Sequence, residues 1–315
     1  MGGPGVARGG GRRRRADGRR IGCRQDGDPT TSRGPAPVHR AGARSGVASV
    51  CRSVSPADRV LRDAPRLPPE VPILLDDFAA ALAGAEAALP GAELLPERLA
   101  RAAAQALPVD GASISLAFAP DRRLPLGASD DPAALAERLQ FTVGEGPCLT
   151  TQTTGEQVAA DEAELGERWP VYTEALASRT PFRAVLSLPL ADEFRGMGAL
   201  DLYLTPPHRV GDVSLSDAVA VARAIVASLT TPTPIDPDRG YAPAWLDSPA
   251  AERRALVWQA IGYVNAGLDV PSVDALSLLR AYAYAHGRDL DDVARAVLDQ
   301  QLLVPDLTSD AGTAC

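Results

Sequence analysis

AERRALVWQAIGYVNAGLDVPSVDALSLLRAYAYAHGRDLDDVARAVLDQQLL, residues 251–303, reads as three helices with marked ends. In the first, Leu256, Val257, Ala260, Ile261, Val264 and Leu268 recur at the spacing of one helical face. Pro271-Ser272 restarts the chain, and Asp274 falls in a first turn, where a carboxylate suits the positive end of the helix dipole. Leu276, Leu279 and Ala283 make a second stripe, and Gly287 follows as a stop. Asp289 is placed to cap a third helix, with Asp292 three residues on and Leu290, Val293, Ala294, Val297 and Leu298 as its apolar face. Stripes this close in sequence bury themselves against one another. A small all-α domain is therefore expected over 245–303, with 304–315 as a tail.

Outward from this stretch, residues 230–244 (TTPTPIDPDRGYAPA) form a proline-rich linker, extended and semi-rigid. Residues 73–229 alternate helical and strand patterns. Helical stripes run from Ile73 towards Pro90-Gly91 and through Leu99, Ala103 and Leu107. Ala112–Phe118 alternates as a half-buried strand, and Leu124–Ser129 is a second, joined through Pro120-Asp121. Asp131-Pro132 opens a helix to Leu139, and Phe141–Cys148 (FTVGEGPC), with two glycines and a proline, is expected to be a tight loop. Val158–Ala160, Ala184–Leu190 and Met197–Leu204 are further strands, Trp169-Pro170 leads a helix to Ser178, and Leu215–Leu229 closes the domain. The layout is α+β: a mostly antiparallel sheet with flanking helices, then a small all-α domain.

Residues 1–70 are rich in Arg, Gly and Pro, with the block Arg12–Arg15 and almost no apolar periodicity. Such a segment buries too little to offset its ordering entropy, so a disordered tail is expected. Three readings are open: a nucleic-acid arm, an inert solvated tail, or translated leader from a start codon assigned too far upstream.

The net charge of −8 conceals a split, for residues 1–66 carry 15 Arg against 5 acids and the remainder 17 Arg against 35. An acidic body does not advertise a nucleic-acid partner. Every basic residue is Arg, which points to a GC-rich genome. Cys23, Cys51, Cys148 and Cys315 have no metal-ligand spacing, so neither a disulfide framework nor a zinc site is expected. No apolar run is long enough to span a membrane, and the basic start lacks an apolar signal core, so a cytoplasmic protein is expected.

Two resemblances extend this reading. Val257–Gly262 (VWQAIG), Ser272–Ala275 (SVDA), Leu278–Ala281 (LLRA) and Leu290–Ala294 (LDDVA) resemble the ANTAR domain, a three-helix RNA-binding module of transcription antiterminators. Many members carry Ala-Lys-Gly where this chain has Ala260-Ile261-Gly262. Phe141–Cys148, Thr154–Val158 (TGEQV), Arg168-Trp169-Pro170, Arg183–Leu190 and Gly198–Tyr203 (GALDLY) resemble a GAF domain, of the kind that precedes ANTAR in actinobacterial regulators. The resemblances imply a GAF-like sensory domain over 73–229 and an ANTAR RNA-binding domain over 245–303, in a signal-responsive homodimer that binds nascent-transcript hairpins. The GAF-like part would take a small molecule or a protein signal.

Contacts to RNA are expected from Arg253, Arg254, Gln259, Arg280, Tyr284 and Arg288, since guanidinium and aromatic planes suit unstacked loop bases. Against this stand seven acids to five Arg within 251–303, where RNA affinity rests largely on phosphate neutralisation. A protein–protein signalling module whose ANTAR domain no longer binds RNA is the alternative. Ligand-lining residues are expected at Phe118, Phe141, Glu145, Cys148, Trp169 and Phe182. Cys148 has no basic neighbour in sequence to activate it and suits a small buried residue. With three His (His39, His208, His286) and no Ser-His-Asp order, HExxH, P-loop or GxGxxG after a strand, no catalysis and no cofactor are expected.

Overall fold

A computed structural model describes residues 70–119, 122–231 and 242–309. The expectations for the arginine-rich start, for the Pro120-Asp121 turn and for most of the proline-rich linker lie outside the described residues.

Two helices, α1 (Glu70–Ala88) and α2 (Leu95–Ala106), precede the sheet. Pro96 sits in the first turn of α2, where its missing N–H is no loss. Strands β1 (Gly111–Ala119) and β2 (Arg122–Ala128) pair antiparallel, followed by α3 (Asp131–Val143), α4 (Pro147–Thr154), the short β3 (Val158–Ala160), α5 (Glu162–Arg168) and α6 (Pro170–Arg179). Strands β4 (Ala184–Pro189) and β5 (Gly198–Leu204) and helix α7 (Leu215–Leu229) complete this part. The five strands lie in the order β2-β1-β5-β4-β3, antiparallel throughout. The antiparallel sheet with flanking helices read from the sequence is the observed architecture. Pro125, unable to donate to a ladder, falls on edge strand β2 at a register shift opposite Ile114 and Ser115.

Period-2 alternation sorts the strands into two faces. Ile114, Leu116, Leu126, Leu186, Leu188, Leu200 and Leu202 form a dry face packed on α1, α2 and α7. Ser113, Ser115, Arg123, Ser187, Asp201 and Tyr203 form the other, covered by α3 to α6 and buried as well. The alternation in Ala112–Phe118 had suggested a half-buried strand. Both faces are covered instead, because α3 to α6 lie over the serines.

The loop expected at Phe141–Cys148 is shorter than its composition suggests. Phe141 to Val143 are the last turn of α3, Gly144 is its left-handed cap at φ +81°, and Pro147 already starts α4. Only Gly144, Glu145 and Gly146 lie outside helix. Helix α5 was not read from the sequence, having a single buried apolar residue, Leu165.

The C-terminal part is helical: α8 (Pro249–Leu268), α9 (Ser272–Ala285) and α10 (Leu290–Leu298), with a final turn α11 (Asp306–Ser309). Ser248 caps α8 by accepting from Ala251 N–H at 3.2 Å. Gly287 takes φ +59° just past α9, as its position demanded. Asp289 does not cap α10 with its side chain; it pairs instead with Arg179 of α6 at 2.6 Å. Val257, Ala260, Val264, Leu276, Leu279, Val293 and Val297 share one core. Val304 and Leu307 are buried in the same core, so the segment taken as a tail contributes to it. Ile261 is buried there too.

Candidate functional site

The sequence around α3 and α4 folds so that four polar chains converge on Asp201 and Cys148 beneath the sheet. Asp201, in the centre of β5, is 1% exposed. Its Oδ1 accepts from Ser187 Oγ at 2.5 Å and its Oδ2 from Gln140 Nε2 at 2.9 Å. Gln140 turns its other end to Cys148, accepting from the backbone N–H at 2.8 Å. The Cys148 sulfur lies 2.9 Å from Arg123 Nη2 and 3.3 Å from Ser115 Oγ. Ser113 and Tyr203 hydroxyls meet at 2.9 Å. Gly146, at φ +145°, leaves no room for a side chain, since a Cβ there would sit 2.4 Å from Gln140 Oε1.

Burial sets the protonation of this layer. It raises the Asp201 carboxyl, with the bonds from Ser187 and Gln140 and the charge of Arg123 pulling back. The Cys148 thiol is pushed far up by burial, then by the Asp201 charge, and Arg123 offsets only part of this. Arg123 corrects the expectation of no basic neighbour: it arrives from β2, far along the chain. A thiol held protonated is a poor nucleophile and a poor metal ligand. Among the described residues no group of three or more His, Cys, Asp or Glu is arranged to hold a metal ion.

The residues expected to line a ligand pocket do not gather round one cavity. Phe118 lies at the end of β1, 53% exposed and beside Trp258. Glu145 Oε1 accepts from the N–H groups of Val171 and Tyr172 at 2.8 and 3.0 Å, a carboxylate on the N-terminus of α6. Trp169 is buried under the Arg168 guanidinium at 4.2 Å. Phe182 stacks on Tyr203 with centroids 5.0 Å apart. Phe141 points away from the polar layer into the core of the C-terminal helices. Cys148 alone of the six joins the Asp201 layer. Aromatic residues near a glycine-rich turn suggested a pocket, but each has a packing partner of its own.

Phe141 is where α3 meets the C-terminal helices. The Arg254 guanidinium of α8 lies 3.8 Å from its ring centroid and that of Arg280 of α9 at 4.8 Å. Arg280 Nε also donates to the Phe141 carbonyl at 2.8 Å, satisfying an acceptor left free by the last turn of α3. Arg254 is 1% exposed; its Nη2 is 3.4 Å from Glu137 Oε2 and its Nε 3.7 Å from Asp291 Oδ1. Burial lowers the Arg280 pKa to about 10, helped by Arg123 and Arg254. The expected RNA contacts therefore divide. Arg253, Gln259, Tyr284 and Arg288 are exposed, whereas Arg254 is buried and Arg280 half-buried. Arg254 is held by Phe141, Glu137 and Asp291, and Arg280 by the Phe141 ring and carbonyl.

Sequence reasoning missed Asp201, Gln140, Arg123 and Glu137. Asp201 had a signal: a carboxylate alone in the apolar strand GALDLYL.

No protein family matches the chain, and no curated protein does. Among solved structures it is similar to the GAF domain of a phosphoenolpyruvate-protein phosphotransferase from Coxiella burnetii. That likeness covers 50% of this chain and 92% of the other, at 16% identity and a TM-score of 0.36. Among the described residues no helix is long and apolar enough to cross a membrane.

Proposed function

We propose that the chain is a signal-responsive RNA-binding regulator of transcription antitermination. A GAF-like sensory part controls how an ANTAR-like helical part meets nascent-transcript hairpins. The sequence resemblances at 141–203 and 257–294 support the two assignments. The observation that carries the regulation is the double clasp on Phe141: Arg254 and Arg280, two of the six candidate RNA contacts, are held by the sensory part. The docked arrangement is the low-affinity state. A signal that binds the undocked arrangement more tightly shifts the population towards it and releases both guanidiniums. The active species is a cytoplasmic homodimer presenting two helical modules to paired hairpins, and no catalytic step is involved.

The test is a gel shift with paired hexaloop hairpins, comparing the wild type with Phe141→Ala, Arg280→Ala and Arg288→Ala. Phe141→Ala should bind more tightly and with steeper salt dependence, and Arg288→Ala more weakly. Absence of salt-sensitive binding by every chain would refute the reading. It would favour the other one, a protein–protein signalling module in which buried Arg254 serves packing alone.

A further inference from the structure

Two points of the sheet part face both ways, towards the Asp201 layer and towards the C-terminal helices. The first is Arg123 of β2, which is buried. Its Nη2 donates to the Cys148 sulfur at 2.9 Å, while its carbonyl accepts from Arg254 Nη1 of α8 at 3.3 Å. The second is the neighbouring pair Gln140 and Phe141 of α3. Gln140 accepts from the Cys148 N–H and donates to Asp201. Phe141 lies under the guanidiniums of Arg254 and Arg280, and its carbonyl accepts from Arg280. Cys148, in the first turn of α4, is thus held at its sulfur and at its N–H by the same two points that hold α8 and α9.

The local backbone leaves Arg123 able to respond. Strand β2 pairs regularly with β1 where Pro125, Leu124 and Arg123 lie opposite Ser115, Leu116 and Ala117, and the register shifts on both sides of that stretch. Such irregularities re-aim side chains. Arg123 Nε is buried and makes no hydrogen bond, so the bond to Cys148 is a main restraint on the guanidinium. Its charge already acts on two buried acids, Asp201 and Glu137. Glu137 is also the partner of Arg254. A buried cation that loses a partner has to find another, since leaving it unpaired is costly. Turning to Glu137 would place Arg123 in competition with Arg254.

We infer that the start of α4 is a lever on the C-terminal helices: drawing Cys148 away from Arg123 sends that guanidinium to Glu137 and loosens the hold on Arg254, and with it the docking of α8 and α9. The coupling is a property of the folded chain alone. Its use as the route by which a signal frees the RNA contacts rests on the proposed function.

The experiment is hydrogen exchange read by mass spectrometry on the full chain with no RNA present. Cys148→Ala removes the sulfur at little cost in volume. Peptides of α8 and α9 should then exchange at least about threefold faster relative to those of α1 and α7, which pack on the other face of the sheet. In an Arg123→Met chain, where the guanidinium is already gone, adding Cys148→Ala should leave that ratio unchanged. A smaller acceleration, an equal one in all four helices, or an undiminished Cys148→Ala effect in the Arg123→Met chain overturns the inference. Should Arg123→Met fail to fold, the comparison of Cys148→Ala with the wild type decides by itself. Failure here leaves the RNA reading standing, and a failed gel shift leaves the coupling standing.

Discussion

Replacing Arg254 by alanine removes one guanidinium from between two carboxylates and an aromatic ring. Glu137 and Asp291, both buried, would be left facing each other's charge with no cation between them. Breaking a buried ion pair from one side costs about 3–5 kcal/mol, most of it the penalty of the stranded charge. The lost contact with Phe141 at 3.8 Å acts in the same direction and is contained in that range rather than added to it. For a folded unit of this size each kcal/mol lowers the melting temperature by about 2–4 °C, so a fall of roughly 6–20 °C is expected by circular dichroism. The decisive comparison is a triple variant that adds Glu137→Gln and Asp291→Asn. If stranded charge is the cause, neutralising both acids recovers a substantial part of the loss. A single variant within about 1 kcal/mol of the wild type, or a triple variant no more stable than the single, would refute the ion-pair account.

Three further outcomes follow from the geometry. In native protein Cys148 should resist iodoacetamide, read by peptide mapping, and become labelled only on unfolding; rapid native labelling would contradict a thiol held protonated by burial. Glu145→Ala should cost about 1–2 kcal/mol by uncapping α6, and Glu145→Gln, which keeps an acceptor, should recover most of it in urea denaturation. Asp201 binds its proton more tightly folded than unfolded because burial raises its carboxyl above the ordinary 3.8. Its contribution is therefore fully present below that value and is lost as pH rises through the folded pKa. Wild-type stability measured relative to Asp201→Asn should accordingly fall from acid towards neutral pH, and a flat or rising difference would count against it.

Much of the architecture was legible because local rules decided it. The stripes of α8 to α10 at helical spacing, the glycine stop at Gly287 and the strands at 111–119, 184–189 and 198–204 all follow from periodicity and turn chemistry. What was not legible depends on residues far apart in sequence. Arg123 meets Cys148, and Arg280 meets Phe141, only once the sheet and helices are assembled. The serines of β1 suggested solvent because alternation reports chemistry, not cover; whether a polar face meets water is decided by α3 to α6. Asp289 looked like a helix cap, and a stronger partner, Arg179, drew it away. The glycine turn was found correctly as a turn, but its length was not, since Phe141–Val143 continue α3.

The two-faced sheet has a consequence for how the chain reaches this structure. Leu200, Leu202 and Leu204 alternate with Ala199, Asp201 and Tyr203 along β5, and both sets are buried. A slip of one residue against β1 or β4 would turn Asp201 into the leucine-lined side, away from Ser187 and Gln140. Burying that carboxylate without partners would cost several kcal/mol, a large fraction of a domain's total stability. A sheet apolar on both sides would tolerate such a slip far more readily. Asp201 thus makes the observed strand alignment cheaper than one shifted by a residue.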